Sequence, residues 1–298
     1  MSTAQDMSEI GIRPPHYRLP ASAHIGRVRL AVSELERSVA FYRDVIGLQV
    51  LREEDRMVQL GAQGCGRVLL ELQEMPGVSA IGRRTRLGLY HTAFLLPSRE
   101  ALSSFVQHLT KLGVPFGAGD HIYSEALYLT DPDGLQVEVY ADRPQDQWIF
   151  EGREIVSATG PVHFETMPTV AEDSWQGAPA GTTVGHVHLY IEDLKAAEKF
   201  YIGALGLDIV TWRYPGALFT SAGGYHHHVG LNVWAAGSPV ATEQDARLLF
   251  WEMVLPDADE IDRAAASLSL GDFDEINTEN GARAFRDPWG IVVALVEA

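Results

Sequence analysis

The stretch Gly119–Glu138, GDHIYSEALYLTDPDGLQVE, brings a histidine, a tyrosine and a carboxylate around one turn. Asp131-Pro132-Asp133-Gly134 is turn chemistry: proline presets φ, and glycine tolerates the positive φ that closes the turn. The flanks Ala126–Leu129 and Leu135–Tyr140 are apolar and β-prone, which predicts a hairpin. Glu138 stands between Val137 and Val139 and points to the face opposite theirs. On a half-exposed sheet that face meets water. If both faces are covered, the carboxylate needs a proton or a cation, and a metal ion is the simplest cation. A second dense group is GGYHHHVGLNVW, residues 223–234. A histidine titrates near neutrality and can take and return a proton. Read as a strand, the run puts His226 and His228 on one face and His227 on the other.

The spacing Gly119-x-His121, five residues, Leu127-Tyr128, two residues, Asp131-Pro132-x-Gly134, three residues, Glu138 resembles the signature of extradiol ring-cleavage dioxygenases. These are members of the vicinal oxygen chelate superfamily. The resemblance implies that Glu138 is an Fe(II) ligand and that His121 and Tyr128 hold the substrate and dioxygen. Extradiol enzymes also resemble this chain at its histidine run, where the leading histidine is the acid–base catalyst. That comparison favours His226, with His227 next.

These groups must be positioned by elements that repeat. Phe41-Tyr42 and Gly47-Leu48 return as Phe200-Tyr201 and Gly206-Leu207, each pair 159 residues apart (200 − 41 and 206 − 47). Pro97 and Pro256 keep that offset, while the DPDG and DPWG turns lie 156 apart, from Asp131 to Asp287. In the first unit Val28, Leu30 and Val32 alternate as a strand. Ser33 is placed to cap a helix through Glu34–Val45, with Glu36 completing a capping box and Gly47 closing it. A second strand begins at Leu48–Leu51, and two more short strands follow near Met57–Leu60 and Arg67–Leu72. The order is βαβββ, and the repeat predicts four such modules. The expected fold is α+β, two cupped sheets of the vicinal oxygen chelate kind, each concave face able to hold a small ligand. The expected division is an irregular arm at 1–22, modules one and two at 23–142, a linker at 143–182 and modules three and four at 183–298.

The repeat also compares one first-strand position across the modules: Arg27, His91, His186 and Phe250. In the superfamily that position supplies a histidine ligand, and the last strand supplies the carboxylate. The counterpart of Glu138 is Ala294. The metal set is therefore expected at His91, His186 and Glu138, the facial triad that suits non-haem Fe(II), with Mn(II) as the alternative ion. It forms only if modules two and three close on each other. Were modules one and two to pair, Glu71 would be the substitute third ligand. His24, His108 and His163 read as surface residues, and His188 as a neighbour of the site or a packed core residue. Trp175, Trp212, Tyr214, Phe219 and Trp234 are candidate aromatic walls.

The implied reaction is cleavage of a catechol, a small aromatic diol, by O2. Two rivals stand: a glyoxalase-type isomerase or thiol transferase on the same fold, and a non-enzymatic small-molecule binder. A net charge of −17 over 298 residues argues against nucleic acid or an anionic membrane as partner. Cys65 is the single cysteine, which rules out an internal disulfide and fits a reducing cytoplasm. The start lacks a basic, apolar leader, and no apolar run reaches membrane-helix length. A soluble cytoplasmic enzyme is expected, with homo-oligomer formation left open.

Overall fold

The computed structural model describes residues 7–278 and 281–298, so the first six residues of the expected arm lie outside the described residues. Module one comprises β1 (His24–Val32), α1 (Leu35–Ala40), β2 (Gln49–Glu54), β3 (Met57–Gly61) and β4 (Val68–Glu74). Module two comprises β5 (Gly88–Leu95), α2 (Arg99–Leu112), β6 (Gly117–Asp120), β7 (Ser124–Thr130) and β8 (Gln136–Asp142). A short hairpin, β9 (Phe150–Glu151) and β10 (Glu154–Ile155), follows. Module three comprises β11 (Thr183–Tyr190), α3 (Leu194–Ala197), β12 (Asp208–Thr211), β13 (Ala217–Ser221) and β14 (Val229–Asn232). Module four comprises β15 (Arg247–Leu255), α4 (Ala258–Leu270), β16 (Glu275–Asn277), β17 (Arg283–Arg286) and β18 (Val292–Glu297).

The modules pair across the halves of the chain. One eight-stranded sheet runs β12-β13-β14-β11-β5-β8-β7-β6, joining modules three and two, and the other runs β16-β17-β18-β15-β1-β4-β3-β2, joining four and one. The seams are antiparallel, with His188 opposite His91 in one and Arg29 opposite Phe250 in the other. Modules two and three thus close on each other, the condition the metal set requires. Both faces of the sheet are covered: Val137 and Val139 join Leu102, Phe105 and Leu109 of α2 in the core, while Glu138 is buried on the opposite face.

Modules adjacent in sequence are tied by their turns. The Tyr42 hydroxyl donates to Asp131 at 3.1 Å, and the repeated Tyr201 donates to Asp287 at 2.8 Å. Asp131 also accepts the Asp133 and Leu135 amides, closing the DPDG turn. Gly134 has φ +85°, and a Cβ there would lie 1.9 Å from the Ile81 carbonyl oxygen, so glycine is required twice over. The expected capping box does not form. Glu34, not Ser33, is the N-cap of α1 and makes no side-chain cap bond. The Ser33 amide and hydroxyl instead donate to Asp133, as do the Ser38 hydroxyl and Arg37. A cross-module carboxylate has taken the capping group. The helix then widens into a π turn at Phe41–Val45, repeated at Glu198–Ala204.

Asp133→Ala will strip these donors of their acceptor and leave the buried Ser38 hydroxyl unpaired. The expected cost is about 1–3 kcal/mol, read as a lower urea midpoint at unchanged slope. An unchanged midpoint would show that the turn does not hold the modules together.

Candidate active site

Adjacent positions on the central strands bring the metal-capable residues to one wall. His186, His188 and Tyr190 alternate along one face of β11, and Glu138, Tyr140 and Asp142 along one face of β8. β5 carries a bulge: His91 faces His188, but Leu89 faces Leu189, so Tyr90 is an extra residue. Both Tyr90 and His91 consequently line the same cavity.

His91 Nε2 lies 3.0 Å and His186 Nε2 3.4 Å from one carboxylate oxygen of Glu138, and the two ring nitrogens are 3.3 Å apart. All three side chains are buried, and they are the group among the described residues whose ligand atoms converge, within 4.8 Å. Burial works against an ionised Glu138, but the charges and hydrogen bonds of His186 and His91 outweigh it and hold its carboxyl well below the usual range. Burial also pushes His186 down to about 4, against the pull of Glu138. An ionised carboxylate beside a neutral imidazole is the form in which such ligands bind a metal. One proton cannot serve two nitrogens and a carboxylate at once, whereas a cation satisfies all three. The residues fit a divalent metal with two nitrogen ligands and one oxygen ligand.

His91 and Glu138 line a cavity of about 1050 Å³, and His186 lies beside them without reaching its wall. Tyr214, Phe219 and Trp234 are among its walls, as expected; Trp175 and Trp212 are not. Trp175 stacks instead on Phe105 and His108, behind α2. His188 also lines the cavity, its ring 4.9 Å from that of His91. Exposed Arg83 and Arg84 line its open side.

Module two contributes His121 and Tyr128, joined by a 2.6 Å hydrogen bond from the Tyr128 hydroxyl to His121 Nε2. The direction follows from the other ring nitrogen: Nδ1 donates to the Ala158 carbonyl at 3.0 Å, leaving Nε2 as acceptor. Burial, then the negative charge of Glu138, keeps the Tyr128 phenol protonated far above its ordinary range. Next to His121, Ile122 takes φ +76°, a strained conformation for a β-branched residue, with its amide held by the Asp120 carboxylate.

The histidine run does not lie on a strand. β14 begins only at Val229, so the run lies in the connection before it and alternation does not apply. His227 lines the cavity, its ring 4.0 Å from that of His186. His226, expected as the leading candidate, is wholly buried and absent from the cavity wall. It sits between Asp142, 2.8 Å from its Nε2, and His227, whose Nδ1 is 2.8 Å from its own Nδ1. Asp142, Tyr123 and Thr159 were not anticipated. Asp142 was within reach, because it lies four residues beyond Glu138 on the same strand face. Thr159 belongs to the linker, whose irregular backbone crosses to module two at Asp120–Gly160.

The equivalent position in the other sheet holds no ligand set. Glu71, considered above as a substitute ligand, accepts from Arg27 at 2.6 Å, Arg29 at 2.7 Å and Gln59 at 2.7 Å. Arg27 also pairs with Glu252 at 2.6 Å, and the Arg29 guanidinium lies 4.7 Å from the Phe250 ring centre. Arginines fill the second cup where the first has histidines.

Over residues 24–139 and 183–295 the chain matches the Glyoxalase/Bleomycin resistance protein/Dioxygenase superfamily. It belongs to that family. A catechol-2,3-dioxygenase of Bacillus subtilis (strain 168) is 44% identical over 271 residues, which cover 89% of this chain and 94% of that protein. A metallothiol transferase FosB of Staphylococcus saprophyticus is 27% identical across 41% of this chain and 80% of its own. Among solved structures, a Bacillus subtilis protein described as a dioxygenase superposes with a TM-score of 0.65 at 14% identity. That match covers 94% of this chain and 86% of the other, and shows a shared fold. No helix among the described residues is long and apolar enough to cross a membrane.

Proposed function

We propose that this member of the superfamily is an extradiol ring-cleavage dioxygenase that holds Fe(II) on His91, His186 and Glu138 and opens a catechol with O2. One observation carries the reading: His91 and Glu138 of the two-histidine, one-carboxylate set line a cavity with two separate groups able to handle protons, His227 and the His121–Tyr128 pair, and the His186 ring lies 4.0 Å from that of His227. The 44% identical catechol-2,3-dioxygenase supports it. Fe(II), when bound, supplies Lewis acidity toward a vicinal diol and electron-transfer chemistry toward dioxygen.

The chain's own residues supply the rest. His227 presents a ring nitrogen to the cavity and takes a diol proton as general base. Tyr128, whose hydroxyl donates a hydrogen bond to His121, keeps an oxygen that can accept one from the reacting groups. Phe219 and Trp234 provide flat apolar surface for an aromatic ring and exclude water from it.

The test is oxygen uptake by protein loaded anaerobically with Fe(II), mixed with catechol and followed by visible absorbance. Oxygen consumption with a yellow product is expected. No uptake by protein confirmed to hold iron overturns the reading for simple catechols. Glyoxalase and thiol-transfer assays with Zn²⁺ or Ni²⁺ would then decide between the rivals.

A further inference from the structure

Behind His227 the hydrogen bonds run in one direction. We propose that Asp142 and His226 are positioning residues that fix the tautomer of His227, so that its unprotonated Nε2 faces the cavity. The kinetic arm of this inference rests on the ring-cleavage reading; the spectroscopic arm does not.

The chain begins at a group that can only accept. Asp142 takes the Tyr225 hydroxyl on Oδ2 at 3.0 Å, and its Oδ1 lies 2.8 Å from His226 Nε2. An ionised carboxylate has no proton to give, so His226 Nε2 must carry one. In a neutral imidazole the other nitrogen is then a bare acceptor. That nitrogen, Nδ1, is 2.8 Å from His227 Nδ1, which must be the donor. His227 therefore carries its proton on Nδ1, and its Nε2 keeps a lone pair. Only that nitrogen is left for the cavity that His227 lines.

The geometry holds this arrangement against rotation. Tyr123 stacks on the His226 ring at 4.3 Å and 12°, and Tyr225 covers it at 4.1 Å and 35°. His226 is fully buried, so water cannot replace either of its partners. The Tyr225 oxygen is in turn 2.8 Å from the Tyr140 hydroxyl, which leaves the Tyr225 proton committed to Asp142. A doubly protonated His226 would reverse the last bond and place the His227 proton on Nε2. It would also put an imidazolium 6.2 Å from the His186 ring, beside the site meant for a cation.

Asp142→Asn separates tautomer control from packing, because it keeps the shape of the side chain. Tyr225 still needs an acceptor, so the amide oxygen turns to it and the amide N–H₂ turns to His226 Nε2. The two bonds of His226 then reverse while that of Tyr225 keeps its direction, and His227 offers a proton to the cavity where it had offered a lone pair.

The experiment is ¹⁵N NMR of histidine-labelled, metal-free protein, with His227 assigned by its loss in His227→Gln. Wild type should show His227 protonated at Nδ1 and bare at Nε2, and Asp142→Asn should show the reverse. In the iron-loaded enzyme kcat for catechol should fall by roughly 100-fold or more in Asp142→Asn, with KM and bound iron unchanged. Asp142→Asn/Tyr225→Phe, in which the amide is free to turn back, should recover part of the loss. A wild-type His227 protonated at Nε2 overturns the proposal without any variant. So does an Asp142→Asn protein with an unchanged tautomer, or one that loses KM and kcat together. Absence of catechol turnover in wild type with the expected tautomer supports the positioning chain and overturns only the dioxygenase reading.

Discussion

Glu138→Ala will give a folded protein that neither retains the metal nor consumes oxygen with catechol. One carboxylate oxygen lies within 3.4 Å of both imidazole nitrogens, so its loss leaves two ligands and no negative charge. Replacing a group one step outside the ligand sphere typically costs about 10–100-fold in metal affinity or activity; loss of a ligand should exceed the upper end. Folding should survive. The residue is buried among histidines, which unlike arginines can exist without charge, so its removal strands no fixed charge. In wild type, added Fe(II) should raise the melting temperature by mass action; in Glu138→Ala it should leave it unmoved. Anaerobic thermal melts with and without metal, and metal content after desalting, read both effects. A variant that still holds one equivalent of iron would show that the metal lies elsewhere.

Glu71→Ala will do the opposite. This carboxylate is also fully buried, but its partners are two arginines that cannot give up their charge. Breaking a buried ion pair from one side costs about 3–5 kcal/mol, so the denaturation midpoint should drop steeply. Metal content and oxygen uptake per folded molecule should stay at wild-type values, since module one contributes nothing to the cavity wall. Loss of metal from Glu71→Ala without loss of stability would return Glu71 to the ligand set. Together the two variants separate a carboxylate kept for chemistry from its counterpart in the other sheet, kept for architecture.

How much of this was legible in the sequence depended on whether a local rule or a long-range contact decided each residue. The DPDG turn fixes a register in which Tyr128 faces Glu138 across the hairpin, and the 159-residue offset aligns first strands, so His91, His186 and Glu138 could be named together. Ser33 was misread because its capping pattern is local, whereas Asp133, which claims it, stands a hundred residues away. The histidine run was misread because strand alternation was extended three residues ahead of where β14 begins. Ala158, which orients His121, belongs to a segment with no periodicity to read.

The cross-half pairing of modules has a consequence for biosynthesis. His24 of β1 meets Val254 of β15, partners 230 positions apart (254 − 24), and His91 of β5 waits for His188 of β11. Residues 23–142 leave the ribosome with one long edge of each seam strand bare, and neither sheet can be completed until the second half follows. Such distant partners slow folding, and a bare strand edge is a template for any other strand nearby. The Tyr42–Asp131 tie, which lies wholly within the first half, is available to hold that half in shape until its own partner arrives.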